Sequence, residues 1–452
     1  MRWGVLYILF SSLFFSTNIS AQSVPFSQGK WVKIAVSKQG FYQVTGSQLK
    51  TWGLTVPFAS SQLQLFNLNT ANLVEKVTAN MGFGLNENAI EMQDGGDGQF
   101  DNQDYFLFYS QGNIQWKWNG VQQLFEHSKN AHGDSVYYFI SLGKEGKRIQ
   151  KAKSDKIANA TTDIFDERWV MEKDTLNILN SGQIWWGPAM GLGVGKQAKI
   201  TTPLNMEGLV SQSDLIFKLN YAAASTANAA NFEITLNDQK LRTTVVAPIS
   251  GYIYDDAANL VLDTFRIPFS SNLLNTNLIS ANLGVGYLSA NASSTGWINY
   301  VTLQAKRKIG FYGGAKSLGF RNASLVGTGK IIQYQIKDAD ASTKIWEVTR
   351  PENPVEMPSN FQNGVATFIQ NADSLREFFS VTKLGYETPS LVEVLNIDYP
   401  SLLNTPAADY IIITAANYLK AADSLAKFHA MHHGLATFVT TTGRVFNEFS
   451  GG

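Results

Sequence analysis

The most constraining feature of this sequence is a strand–helix–strand pattern in residues 407–452. Tyr410–Thr414 is a short apolar run rich in β-branched residues, which is typical of a strand buried on both faces. Leu435–Val439 is a second run of the same kind. Two such strands with short joins to a central helix form a βαβ unit, the beginning of a parallel α/β sheet.

The stretch between the two runs predicts a helix. Four residues recur at spacings of three and four, which places them on one helix face: Ala421, Leu425, Phe428 and His432. Gly434 follows at the position of a left-handed C-cap. One helix covers only one face of two strands, so we expect the domain that begins here to continue beyond Gly452.

The rest of the chain has β patterning, so the predicted fold class is mainly β, followed by the first βαβ unit of an incomplete α/β domain. Trp31–Val36 and Phe41–Val44 alternate with period two around Gly40, which predicts a hairpin. Alternating runs separated by Asn, Ser and Gly turns predict a jelly-roll or immunoglobulin-like sandwich further along.

These patterns divide the chain into five predicted parts. Residues 144–162 contain few large apolar side chains and are the predicted linker. The parts are a signal peptide (1–21), an N-terminal β-domain (22–162), the β-sandwich (163–308), a β-rich connecting region (309–390) and the start of the α/β domain (391–452).

The amino terminus has the features of a secretory signal. Arg2 precedes an apolar core, Val5–Phe15, that is shorter than the roughly 20 residues a membrane span needs. Ile19–Ala21 supplies small residues for cleavage after Ala21. We therefore expect an exported protein.

Composition excludes some functions. Lys plus Arg and Asp plus Glu both number 36, so no net charge attracts nucleic acid or anionic lipid. The chain contains no cysteine, so an exported form must be stabilised by its hydrophobic cores rather than by disulfides.

Several segments resemble the gingipain-like cysteine peptidase family. In the α/β unit these are Asp409–Thr414, Leu425–Phe428, Val439–Thr441 and Phe446–Gly452, and the Glu448–Gly452 ending is the most specific part. Upstream segments resemble the branch of type IX secretion sortases: Trp31–Ile34, Gly40–Tyr42, Asp94–Gly98, Phe108–Tyr109, Ser181–Gly187, Trp297–Tyr300 and Ile345–Thr349. Gln183 stands where family members usually carry arginine, so no role of that guanidinium carries over.

The resemblance implies a cysteine endopeptidase on the outer-membrane surface or outside the cell. Such a sortase removes C-terminal signal domains from secreted cargo and attaches the cargo to the cell surface. Its implied partners are cargo proteins, other type IX secretion components and lipopolysaccharide. In the family the catalytic His and Cys lie further along the domain, so no residue here is assigned as catalytic, and we expect this chain alone to be inactive.

Two alternatives remain open from the sequence. The first is a secreted gingipain-like protease that is itself cargo. The second is a non-catalytic, β-rich surface protein that binds glycans or partner proteins.

One loop is a candidate calcium site. Its four carboxylates, within a turn that glycines permit, are the oxygen ligands that calcium prefers: Asp94, Asp97, Asp101 and Asp104. The loop departs from an EF-hand because its glycine comes one position early and no Glu closes it. The alternative is a set of Asx turns between strands. No other cofactor is predicted.

Three further patterns are weaker. His429, His432 and His433 share a helix edge, but no Glu of a metalloprotease motif accompanies them. Gly191–Lys196 is glycine-rich, yet it neither follows a buried strand nor opens a helix, as phosphate loops do. Four aromatic residues of the sandwich could stack on sugars if exposed, or pack in the core: Trp185, Trp186, Trp297 and Tyr300.

Overall fold

A computed structural model describes residues 26, 28–68, 73, 84–153, 155–178, 184–211, 213–268 and 280–452. These residues form a mainly β structure that ends in a parallel strand–helix–strand unit, which confirms the predicted fold class. The predicted signal peptide and Gln183 lie outside the described residues. No helix in the described ranges is long and apolar enough to cross a membrane.

Short strands joined by turns form the described residues up to Thr162. Their order is β1 (Gly29–Val36), β2 (Gly40–Thr45), β3 (Phe58–Ala59), β4 (Leu63–Asn67), β5 (Asn86–Asn88), β6 (Glu91–Gln93), β7 (Gln99–Phe100), β8 (Tyr105–Ser110), β9 (Ile114–Asn119), β10 (Leu124–Lys129), β11 (Val136–Leu142), β12 (Gln150–Lys151) and β13 (Ala160–Thr162). Helix α1 (Gly46–Thr51) begins where the Thr45 hydroxyl accepts the Gln48 N–H, and a 3-10 turn spans Ser60–Gln62.

Two four-stranded sheets pack as a sandwich in the middle of the chain. The strands are β14 (Ile164–Glu172), β15 (Lys199–Asn205), β16 (Asp214–Ala224), β17 (Ala230–Leu236), β18 (Gln239–Val246), β19 (Asn259–Pro268), β20 (Ser280–Leu288) and β21 (Thr295–Lys308). Their orders are β14–β21–β16–β19 and β15–β20–β17–β18. Buried side chains of alternate residues fill the space between the sheets, and the Tyr221 and Phe232 rings stack at 4.5 Å.

A third β region follows the sandwich. Its strands are β22 (Ser317–Phe320), β23 (Ile331–Ile336), β24 (Lys344–Glu347), β25 (Val355–Glu356), β26 (Asn360–Gln362), β27 (Val365–Asn371), β28 (Phe378–Val381) and β29 (Ser390–Ile397). Its 3-10 turns are Tyr312–Gly314, Ala323–Leu325 and Lys383–Gly385. An aromatic cluster that includes Phe320, Tyr334, Phe368 and Phe378 forms its core.

Strand pairing differs from the predicted hairpin at the amino terminus. The observed sheets are β29–β1–β11–β4–β5, β2–β8–β6, β3–β7 and β9–β10. β1 therefore pairs with β11 and β29, and β2 pairs with β8, so the hairpin prediction was wrong. Period-two alternation identifies a strand but carries no information about its hydrogen-bonding neighbour.

Sheet membership also crosses two predicted boundaries. The predicted linker contains β12 and β13, which pair in parallel with β25 and β23 of the third region. β29, at the predicted start of the α/β domain, instead pairs with β1 and completes a sheet of the first region. Short edge strands join a sheet through backbone hydrogen bonds, so their side-chain composition does not predict which sheet they join.

The α/β unit closes the described chain. It consists of β30 (Tyr410–Thr414), α2 (Leu419–His433), β31 (Thr437–Thr441) and α3 (Thr442–Phe449), with 3-10 turns at Leu402–Asn404 and Ala416–Tyr418. β30 and β31 pair in parallel, as predicted. Gly434 has φ +66° and caps α2 in the left-handed conformation, which confirms the predicted helix end.

The buried face of α2 is not the one that the spacing suggested. Ala422 and Ala426 are buried, whereas Leu425 and Phe428 of the predicted face are exposed. Small alanine side chains allow the helix to approach the two strands closely, and the larger residues then point outward. Ile411 and Ile413 are also exposed, so one face of this small sheet is uncovered.

Candidate functional site

The last helix, α3, joins the α/β unit to the first β region through a buried contact. The Lys33 ammonium on β1 donates to Asn447 Oδ1 at 2.9 Å and lies 4.4 Å from the centre of the Tyr137 ring. Burial lowers the pKa of Lys33, while the nearby Glu393 carboxylate opposes that shift. The aliphatic part of the Lys33 side chain is buried, and its ammonium is held by the Asn447 amide and by the face of the Tyr137 ring.

Glu448 makes the second contact. Its carboxylate is buried and accepts hydrogen bonds from the Ser401 hydroxyl at 2.6 Å, the Leu402 N–H at 2.7 Å and Arg444 Nε at 3.1 Å. Arg444 also donates to the Pro400 carbonyl and lies 4.0 Å from the centre of the Tyr399 ring. One carboxylate thus ties α3 to the segment that leads into the α/β unit.

This arrangement fixes the position of helix α3. The Glu448 carboxylate and the Lys33 ammonium both face hydrogen-bond partners within the protein. Asn447 and Glu448 belong to the Phe446–Gly452 segment that resembles the peptidase family, and Glu448 begins its most specific part. We call these contacts the α3 anchor: Lys33–Asn447, and Glu448 with Ser401, Leu402 and Arg444.

The four aspartates of the candidate calcium loop each accept a backbone N–H. Asp94 accepts from Gly96 at 3.1 Å and Asp97 from Gln99 at 2.9 Å. Asp101 accepts from Gln103 at 2.8 Å, and Asp104 from Asp101 itself at 2.6 Å.

The bonds of Asp94, Asp97 and Asp101, each accepted from the N–H two residues further on, have the geometry of the Asx-turn alternative, whereas Asp104 accepts from a residue three positions earlier. Within the described ranges, no three His, Cys, Asp or Glu side chains are grouped as a metal site requires. Calcium binding by this loop therefore stays a prediction, to be tested by measurement.

The histidines of α2 contact aromatic rings and each other. His429 lies against Tyr410, with ring centres 4.6 Å apart, and its ring is 5.2 Å from His433. His432 lies 4.5 Å from Phe428. His429 thus takes part in packing α2 onto β30.

The other two patterns have structural explanations. Trp186 is buried, and Trp185, Trp297 and Tyr300 are half-buried, which fits packing better than an open stacking platform. The Lys196 ammonium of the glycine-rich loop donates to the Ser294 carbonyl at 2.8 Å and to two neighbouring carbonyls.

Sequence reasoning missed a buried ion cluster between the β regions. Arg168 on β14 donates two hydrogen bonds to Glu377, at 3.0 and 3.2 Å, and Arg321 Nε adds a third at 2.8 Å. The Arg168 guanidinium also lies 4.8 Å from the Phe125 ring and 5.2 Å from the Trp116 ring of the β9–β10 hairpin. Because the members are far apart in sequence, no local motif identifies the cluster.

The α/β unit matches a known sequence family. Residues 404–452 match the sequence model described as Peptidase family C25, the gingipain family. The matched segment contains β30, α2, β31 and α3, together with Glu448 and Asn447 of the α3 anchor. The predicted resemblance to gingipain-like cysteine peptidases is therefore confirmed for this unit.

A particular solved structure shares the fold of nearly the whole chain. It is the crystal structure of dimeric latent PorU from Porphyromonas gingivalis, with a TM-score of 0.76 and 20% sequence identity. The match covers 94% of this chain and 38% of the PorU chain. The chain therefore has a PorU-like fold and spans little more than a third of that protein's length.

Other comparisons add no argument about function. The carbohydrate-binding module CBM36 in complex with calcium and xylotriose has a TM-score of 0.17 and 8% identity, over 27% of this chain and 93% of the module. The CBM36-1 domain of a xylanase from the hindgut metagenome of Trinervitermes trinervoides has a TM-score of 0.18 and 14% identity, over 31% of this chain and 94% of that domain. Both scores are too low to support a shared fold. No curated protein matches the chain in sequence.

Proposed function

We propose that this chain is the N-terminal portion of an exported gingipain-like cysteine endopeptidase of the PorU sortase type. In this proposal the complete enzyme cleaves C-terminal signal domains from type IX secretion cargo and attaches the cargo to the cell surface. The observation that carries the proposal is the peptidase family match at 404–452, joined to β regions with a PorU-like fold.

We propose that the regions of the complete enzyme have separate roles. The β regions and the α3 anchor hold the first α/β unit in place, while the catalytic His and Cys belong to a part of the enzyme outside these residues. The absence of cysteine from all 452 residues supports this division. The proposed location is the outer-membrane surface or the extracellular space.

A direct test uses the complete gene product and the 452-residue chain side by side. Each is incubated, under reducing conditions, with a cargo protein that carries a C-terminal signal domain. We expect the complete product to release that domain and to lose activity after thiol alkylation, and we expect the 452-residue chain to release none. Cleavage by the 452-residue chain that persists with serine- and metallo-peptidase inhibitors would contradict the proposal.

The same assay separates a sortase from a secreted protease. A sortase yields cargo with added mass when lipopolysaccharide is supplied as acceptor, whereas a secreted protease yields only the cleaved forms. A complete product that carries a signal domain of its own would favour the cargo alternative. A complete product that binds cargo without cleaving it would favour the non-catalytic alternative.

A further inference from the structure

The loop between β18 and β19 exposes three consecutive large apolar side chains. Tyr252, Ile253 and Tyr254 are 76%, 86% and 93% exposed, respectively. Soluble proteins commonly expose single apolar residues, but a contiguous exposed group marks an interaction site. The group stands at the tip of a projecting loop, at the end of the sandwich where β19 begins with Asn259.

The loop has a defined conformation that presents these side chains. The Ser250 hydroxyl accepts the Tyr252 N–H at 3.1 Å and donates to the Asp255 carboxylate. The Asp255 N–H donates to the Tyr252 carbonyl at 3.0 Å, which closes a turn around Ile253 and Tyr254. Gly251 supplies the left-handed φ of +76° that this turn needs.

A second loop exposes apolar residues at the same end of the sandwich. Leu192 is 67% exposed and Val194 is fully exposed. The turn at residues 225–229 lies between the two loops: its Ser225 carbonyl accepts the Ile249 N–H, and Asn228 and Ala229 line a groove with Leu192. We call Leu192, Val194, Tyr252, Ile253 and Tyr254 the apolar loop end.

The charges around the apolar loop end restrict the partner. Asp255 and Asp256 directly follow the tip, and the hydrogen bonds from Ser250 and the Asp256 N–H lower the pKa of Asp255. The second loop contains one cation, Lys196, whose ammonium donates to three carbonyls and keeps its charge, so the two loops together carry two carboxylates and one ammonium. An anionic surface would be repelled, whereas a surface that carries ammonium groups is complementary.

The side chains match the interfacial layer of a lipid bilayer. Tyrosine places an apolar ring and a polar hydroxyl at headgroup depth, and an aliphatic residue between two tyrosines reaches the acyl boundary. We propose that the apolar loop end docks on a zwitterionic lipid surface, with Tyr252, Ile253 and Tyr254 inserted and Asp255 and Asp256 beside the headgroup ammonium groups.

Vesicle flotation with the 452-residue chain tests the docking. Vesicles of phosphatidylethanolamine and phosphatidylcholine should carry the wild-type chain, and Ile253→Asp should lower the partition coefficient at least about tenfold, since a charge replaces an inserted apolar side chain. The matched control is Val121→Asp. Val121 is 95% exposed on the β9–β10 turn, which contacts Arg266 at the opposite end of β19. This variant should bind as the wild type does.

Lipid composition tests the charge argument. Adding phosphatidylglycerol should weaken binding of the wild type, and the double variant Asp255→Asn, Asp256→Asn should lose this sensitivity. A Tyr252→Trp variant should show a blue-shifted emission with vesicles as the indole enters the interface.

Three results would overturn the proposal. They are no binding to zwitterionic vesicles, equal losses for Ile253→Asp and Val121→Asp, and stronger wild-type binding to anionic vesicles. Because the assay involves no peptidase step, its outcome is independent of the proposed function.

Discussion

Glu448 is the residue on which the α3 anchor depends most. Its buried carboxylate accepts three hydrogen bonds from Ser401, Leu402 and Arg444. Glu448→Ala leaves these donors buried and unpaired, which should cost about 3 kcal/mol of docking free energy. We expect faster hydrogen exchange and proteolysis of residues 442–452 in this variant. The control Asp423→Ala removes an exposed carboxylate of α2, and equal effects of the two substitutions would argue against an anchor.

The aspartates of residues 94–104 carry the calcium prediction. If calcium binds there, it should stabilise the first β region by about 2.7 kcal/mol at a hundredfold excess over the dissociation constant. Thermal melts with calcium and with a chelator measure the calcium-dependent shift in melting temperature. The shift should be absent in Asp97→Ala and present in the control Asp134→Ala, which changes an exposed carboxylate. Identical midpoints for wild type and Asp97→Ala under both conditions would leave the Asx turns as the sole role of the loop.

At the scale of the secondary-structure elements, β30 and β17 have different surroundings. β30 has β31 as its sole strand neighbour in the described sheet, and Ile411 and Ile413 are exposed, whereas β17 lies between β18 and β20 with Phe232, Ile234 and Leu236 buried. Backbone amides that are protected by fewer neighbouring strands and side chains become exposed to solvent by local unfolding more readily. We therefore expect the amides of Ile411–Ile413 to exchange far faster than those of Phe232–Leu236. Comparable protection would mean that the α/β unit is as stable as the sandwich.

At the scale of the whole molecule, Glu377 links the β regions. Arg168 belongs to the sandwich, Arg321 and Glu377 belong to the third region, and the rings that Arg168 contacts belong to the first. Burial by itself would raise the pKa of Glu377, but the charges of Arg168 and Arg321 outweigh it and hold the pKa below its usual range. The cluster is therefore ionised and paired at neutral pH.

Removing the Glu377 charge should loosen the junction. Glu377→Gln leaves two buried guanidinium groups without a counterion, which should cost about 3–5 kcal/mol and lower the melting temperature. The control Glu145→Gln changes an exposed carboxylate and should melt as the wild type does.

The sign of the pH dependence follows from the lowered pKa. The stabilisation is present above the unfolded-state pKa of Glu, about 4.3, and is lost as pH falls through the folded value. The difference in stability between wild type and Glu377→Gln should therefore be constant from neutral pH down to about 5 and shrink below about 4. A difference that grows as pH falls would contradict this assignment.

Local sequence was sufficient to predict the elements whose cause is local. Alternating residues identified β1, β2 and the sandwich strands, because burial of one sheet face repeats every second residue. Gly434 marked the end of α2, because a left-handed cap favours glycine. The strand–helix–strand order and the family motif in the last residues located the α/β unit and its class, since both are contiguous in the chain.

Tertiary structure alone decided which of these elements meet. β1 pairs with β11 and β29 rather than β2, and the exposed side of α2 carries the larger side chains. Lys33 and Asn447 are 414 positions apart, and Arg168 and Glu377 are 209 apart. The periodicity of apolar residues predicts which side chains are buried, but it does not predict which segment covers them. Strand pairing and buried ion pairs join segments that are distant in sequence, so only the folded chain brings them together.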